Sequence, residues 1–391
     1  MRGLFALLAL FLAACSAPTV EITPTPAPTH EPGTTLVTVL LDLSGARAPS
    51  GVAQRNAMQL WLDQQQTRVG AQRIRAKFVD VAGSDAQLLI ELRRAAVDER
   101  ADAVVIGVPL RYDATFASAV GVAQLPVLLT LPAPEPASFP GGGWAFALAP
   151  TYVELARAAV TDATQRGVLL PILLASDESP AAIAERLALA RELERRGLIA
   201  PTVVTVTAQD AAARLRAGAA FARSAFFTGP AATYVDATRT LSAAGITPRV
   251  YLSYLMESSD ASSLREGADI ATWPGSRNVA AVSTAPSTPE RAAFLQSFSS
   301  RHGAASTLAA TAYDALALID AAAESADGTP DRTRLRDRLE ATTFAGIATR
   351  YTFTAARHAG FATVDLAYLR WSIGARVGFA LAPEPAPNEG R

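Results

Sequence analysis

From residue 36 onward, short continuous apolar runs alternate with longer stretches whose apolar residues recur at helical spacing, and this alternation limits the fold more than any other feature. LVTVLLDL (36–43) reads as a strand buried on both faces. It passes through Ser44-Gly45 into a helix carrying Val52, Met58, Leu60 and Trp61. IRAKFVDV (74–81), AVVIG (103–107) and PVLLT (126–130) are further strands, each separated from the next by a helical pattern. Strands alternating with helices in this way specify βαβ units around a parallel sheet. Ligands of such sheets bind outside the carboxyl ends of the strands.

The pattern restarts at Thr151: a helix, VLLPILLA (168–175), a helix, TVVTV (202–206), a helix, SAFFTG (224–229), a helix, and RVYLSYL (249–255). The globule, about residues 35–380, exceeds the usual size of one hydrophobic core. The expected fold class is therefore α/β, with two doubly wound, Rossmann-like lobes of similar design.

Both ends lie outside this pattern. Residues 1–15, MRGLFALLALFLAAC, carry one arginine and then an apolar run too short to span a bilayer, which needs about 20 residues. This is a signal peptide, and Leu12-Ala13-Ala14-Cys15 resembles a bacterial lipobox, with Cys15 as the expected site of lipidation. Cys15 is the only cysteine, so no internal disulfide is expected. Residues 16–34, rich in Pro and Thr, bury too little to repay ordering and read as a semi-rigid tether. The tail, 381–391, has the same character. The chain is expected to be extracytoplasmic and anchored to the bilayer through acylated Cys15.

A net charge of -1 leaves no basic footprint for nucleic acid. Metal and cofactor sites are not expected. The three histidines, His30, His302 and His358, have no second ligand at metal spacing. There is no G-x-S-x-G elbow and no phosphate loop. Gly141-Gly142-Gly143 is explained by a turn, and the adjacency of Asp177 and Glu178 says little about a shared cleft. No enzymatic activity is expected.

The order LLDLSGARAPSGVAQRNAMQL, VDVAGSDAQ, VVIGVP, LPVLLT resembles the first lobe of the leucine/isoleucine/valine-binding family of type I periplasmic receptors. TAYDALALIDAA (311–322) is similar to that family's late aromatic helix, and FAGIATRYTFTAARHAG (344–360) to its closing hairpin, with Gly346. The resemblance implies two lobes joined by hinge strands, residues 35–147 and 279–341 forming the first lobe and 148–278 and 342–380 the second. It also implies a small polar solute (an amino acid, amide or carboxylate) trapped on closure and handed to the membrane permease of an ATP-driven (ABC) importer.

The family's ligand groups are only partly present. Ser44 and Ser50 lie in the first strand–helix loop, where the family places contacts; Ser44 is equally suited to capping the helix. After Gly107 a serine-rich loop is replaced by Val108-Pro109-Leu110-Arg111-Tyr112-Asp113, and Leu131-Pro132-Ala133-Pro134 follows Thr130. Arg111, beside Tyr112, either clamps an anionic group in a bidentate pair or is a solvated loop residue. In the second lobe Asp177 lacks the family's following aromatic, and Pro230 stands where a stacking ring is usual. Tyr254 either supplies a ring or packs in the core. Glu257 either holds an ammonium group or caps a surface helix. The resulting ligand set is Ser44, Ser50, Arg111, Tyr112, Thr130, Asp177, Tyr254 and Glu257. A different reading of the altered set is a lipoprotein of this fold that carries nothing and docks onto a cell-envelope protein as a regulator.

Overall fold

The computed structural model describes residues 33–69, 73–167, 169–229, 234–256, 277–280, 288–324, 331–372 and 378–381. Cys15 and nearly all of the tether and the tail lie outside them. Among the described residues no helix is long and apolar enough to cross a membrane.

The first lobe is built on five parallel strands: β1 (Thr35–Leu41), β2 (Ile74–Asp80), β3 (Ala103–Ile106), β4 (Val127–Leu129) and β5 (Ala145–Ala147), in the order β2-β1-β3-β4-β5. β1 is buried along nearly its whole length, as a central parallel strand covered on both faces must be. Helix α1 (Ala48–Val69) covers one face, and α2 (Asp85–Val97) and α3 (Ala114–Ala123) the other. Ser84 caps α2 through the Gln87 amide, and Asp113 caps α3 through the amides of Thr115 and Phe116.

The chain leaves β5 through 148–151 and enters the second lobe at α4 (Tyr152–Gln165). Thr151 and Glu154 close a reciprocal capping box there, which fixes where the crossing ends. β6 (Ile172–Ser176), α5 (Pro180–Arg195), β7 (Thr202–Thr205), α6 (Ala211–Ala219), β8 (Ser224–Thr228), α7 (Val235–Ala243) and β9 (Arg249–Leu252) follow. With β10 (Arg277–Ala280), β13 (Ala367–Ser372) and β14 (Gly378–Leu381) they form a sheet ordered β14-β13-β10-β9-β8-β6-β7. Only β13 and β14 run antiparallel to their neighbours.

Between β10 and β13 the chain returns to the first lobe as α8 (Pro289–His302), α9 (Thr307–Glu324), α10 (Arg332–Glu340) and the hairpin β11 (Thr343–Ala345) and β12 (Arg350–Thr352). Phe298, Leu316, Ile319 and Leu339 share a core with Met58 and Trp61 of α1. Two boundaries differ from the sequence expectation. β10 belongs wholly to the second sheet. The hairpin, expected in the second lobe, packs on the first, because Tyr351, Phe353 and Phe361 find their apolar surroundings around Phe146.

Candidate functional site

The carboxyl ends of both sheets face the cleft between the lobes. The loops that matter are the ones following β1, β3 and β4 on one side and β6, β8 and β9 on the other. A narrow, partly open recess lies there. The first lobe contributes Asp42, Arg47, Ser50 and Gly51, then Gly107 and Pro109, then Leu131; Leu255 faces them from the second lobe.

Its floor is preorganised. Gln54, fully buried on α1, donates to the Gly107 carbonyl at 2.8 Å and accepts from the Thr130 hydroxyl at 2.6 Å. Three segments are thereby locked together. Glycine is required at two points. A Cβ on Gly51 would lie 1.9 Å from the Asp42 carbonyl oxygen, and one on Gly107 would lie 2.3 Å from Gln54 Oε1. The charged element is Arg47, whose Nε pairs with Asp42 Oδ2 at 2.7 Å. The Gly83 amide donates to the other Asp42 oxygen at 2.6 Å, so the carboxylate that orients the guanidinium is itself held. With 24% of its side chain exposed, Arg47 borders the recess without being solvated away from it.

Of the residues expected from sequence, Ser50 lines the recess. Ser44 instead hydrogen-bonds Asp80, whose carboxyl is held below its ordinary range by that hydroxyl and by backbone amides. Arg111 is 74% exposed and pairs with Asp113 at 3.1 Å; it is the solvated loop residue. Tyr112 packs between Phe116 and Phe139 in the first-lobe core, ring centroids 5.3 and 5.4 Å away. Thr130 is sealed beneath the floor, bonded to Gln54. Asp177 is buried and accepts the Ser179 amide at 2.9 Å, organising the start of α5. Tyr254 is a core residue of the second lobe. Glu257 lies outside the described residues. Sequence reasoning missed Arg47 and Leu255, although Arg47 stands in the same LSGARAPSG loop that supplied Ser44 and Ser50.

Behind the second-lobe wall sits a buried acid. Glu185 of α5 accepts the Gly229 amide at 3.1 Å and the Ser253 hydroxyl at 2.8 Å, tying the ends of β8 and β9 together. Burial pushes its carboxyl up to about 7, with Asp177 adding to the rise. It borders a small void with Leu155, Phe226, Tyr251 and Tyr254. The nearby Tyr152 hydroxyl is buried and finds no hydrogen-bond partner among the described residues. The arrangement braces the wall; Leu255 presents an apolar surface from that wall to the recess.

No group of three or more His, Cys, Asp or Glu side chains suited to a metal forms among the described residues. The site is thus a narrow cleft with an oriented cation, a hydroxyl and apolar walls.

Comparison with known proteins agrees with this fold. A family model described as periplasmic binding protein matches residues 35–374. No curated protein matches the chain significantly. Among solved structures, the branched-chain amino acid transporter substrate-binding protein LivJ from Streptococcus pneumoniae, in complex with isoleucine, is 16% identical with a TM-score of 0.72, over 89% of this chain and 100% of that one. The leucine-binding protein LivK from Thermotoga maritima is 15% identical with a TM-score of 0.71, over 90% and 100%. A possible leucine/isoleucine/valine-binding protein from Rhodopirellula baltica is 14% identical with a TM-score of 0.74, over 92% and 100%. The chain therefore belongs to the periplasmic binding protein family, in its two-lobed type I form.

Proposed function

We propose that this chain is the extracytoplasmic solute-binding lipoprotein of an ATP-driven importer, and that its cleft takes a small solute bearing a carboxylate on an apolar body. The observation that carries the reading is Arg47, oriented by Asp42 at the edge of a recess walled by Pro109, Leu131 and Leu255. A guanidinium fixed in this way offers its remaining donors to a carboxylate in a planar, paired geometry. The apolar walls suit a hydrocarbon body, and Ser50 adds one hydroxyl. Closure of the lobes buries the solute, the closed form is delivered to the permease, and no chemical step is required of the protein. Cys15, once acylated, would hold the chain at the membrane, and two or more acyl chains anchor stably where one does so only marginally.

The test is thermal unfolding of the intact protein against a panel of small branched carboxylates, amino acids, amides, sugars and short peptides. A solute binding only the folded form at about a hundred times its Kd adds about 2.7 kcal/mol. A carboxylate is expected to give this shift, and Arg47→Met to remove most of it. Silence across the whole panel would favour the docking lipoprotein instead.

A further inference from the structure

The second lobe carries an apolar tip at the end away from the cleft. The carboxyl ends of its parallel strands face the cleft, so the loops that enter those strands lie at the far end. Ile199 precedes the first residue of β7, Thr202, by three positions, and Phe221 precedes the first residue of β8, Ser224, by the same number. β7 and β8 flank β6, with Thr202 in register with Leu173 and Ser224 with Ile172, so the two loops stand about 10 Å apart. Pro171, exposed at the entry to β6, lies between them, and its carbonyl accepts the Arg223 amide at 2.8 Å.

Ile199 and Phe221 are 79% and 81% exposed. Ordered helix ends hold them out. The Gly197 and Leu198 amides bond back to the carbonyls of Glu194 and Leu193 at 2.8 and 3.0 Å, closing α5, and the Phe221 amide bonds to the Gly218 carbonyl at 3.4 Å, closing α6. Arginines surround the tip. Arg195 and Arg196 share Glu192, at 2.6 and 2.7 Å. Arg216, in the last turn of α6, and Arg223, just ahead of β8, are exposed and form no ion pair among the described residues. From 192 to 202 and from 211 to 224 the only acids are Glu192 and Glu194, so cations are in excess.

Exposed apolar side chains set among cations fit the boundary layer of an anionic bilayer, where a ring or branched chain sinks below the phosphates and guanidinium groups bind them. A protein partner fits less well. A stable protein interface buries about 800 Å² on each side, several times what one ring of about 150–250 Å² supplies, whereas fluid headgroups close around single side chains. The proposed acylation of Cys15 brings a bilayer within reach, since residues 16–34, at about 3.1 Å per residue, would span about 60 Å. That tether joins the first lobe at the amino end of β1, which is that lobe's own far end.

We propose that this tip is a membrane-contact surface: Phe221 and Ile199 enter the headgroup layer of an anionic bilayer, with Arg216 and Arg223 on its phosphates. Contacts at the far ends of both lobes then lay the molecule along the bilayer instead of leaving it to swing on the tether. The surface goes beyond solute binding, and it rests on acylation of Cys15 only for the nearness of the bilayer.

The test is hydrogen exchange of the intact protein, read by mass spectrometry with and without vesicles containing phosphatidylglycerol. The amides of 197–200 and 219–223 are expected to slow about fivefold or more on these vesicles. The slowing should be smaller on purely zwitterionic vesicles and in high salt, which screens the arginines. Phe221→Asp, at an exposed position, should leave the unfolding midpoint in place and abolish the slowing. Arg216→Glu combined with Arg223→Glu should remove the preference for anionic lipid. Unchanged exchange in these loops, whether or not the protein binds the vesicles, overturns the proposal, as does slowing that survives Phe221→Asp. Slowing without vesicles that grows with protein concentration would mean that a second copy covers the tip, and also overturns it. The mass of the Cys15 peptide scores acylation separately, so either reading can fail alone.

Discussion

The carboxylate of Asp314 accepts the Tyr351 hydroxyl at 2.9 Å, and through this pair α9 holds the closing hairpin against the first lobe. The same carboxylate takes the amides of Ile347 and Ala348 at 2.6 and 2.8 Å. Asp314→Asn brings an NH2 against these donors, and Gly346→Ala places a Cβ 2.5 Å from Asp314 Oδ2. Each is expected to cost about 1–3 kcal/mol, because a buried polar group is left unsatisfied or the packing is forced apart. Urea unfolding measures it; a loss below about 0.5 kcal/mol in both would mean that the hairpin is held by its apolar face alone.

The glycines under the recess make a second test. Gly51→Ala and Gly107→Ala should each cost about 1–3 kcal/mol from overpacking. Gly51→Ala presses on the Asp42 carbonyl and so should disturb Arg47 as well. Solute affinity is expected to fall further than stability does. Gly143→Ala, whose Cβ meets nothing within 4 Å, is the control and should stay within about 0.5 kcal/mol of the parent.

Glu185 gives the stability a pH dependence of defined sign. Its folded carboxyl sits at about 7, above the ordinary 4.5, so the folded chain retains a proton that the unfolded chain has lost. This contribution is fully present below about pH 4.5 and is lost as pH rises toward about 7, with a slope of up to about 1.4 kcal/mol per pH unit. Glu185→Gln keeps an oxygen for Gly229 and Ser253 and should flatten that part of the profile. Denaturant midpoints across a pH series compare the two chains; parallel profiles would place the buried proton elsewhere.

Much of the architecture is legible in the sequence because both sheets are made of apolar runs set between helical patterns, and the restart at Thr151 marks the second lobe. Where the chain crosses back is less legible. β5 is three residues behind a glycine-rich stretch and β10 only four, too short to announce a sheet by periodicity. In the cleft, Ser50 is legible, whereas Tyr112, Thr130 and Tyr254 stand in the segments that follow strands, where an aromatic or hydroxyl side chain is as useful to the core as to a ligand. Arg47 and Arg111 are both loop arginines. What separates them is a neighbour distant in sequence: Gly83, whose amide fixes Asp42 under Arg47 alone.

Lobe closure around a solute is the central claim, and a distance measured across the cleft tests it most directly. Thr115 of α3 and Gln209 after β7, both exposed, are replaced by cysteine on a Cys15→Ser background and spin-labelled. Adding the tightest-binding carboxylate of the panel is expected to shift the distance distribution to a single shorter population, and Arg47→Met is expected to require far more solute for the same shift. An unchanged distribution with the solute demonstrably bound would contradict trapping between the lobes.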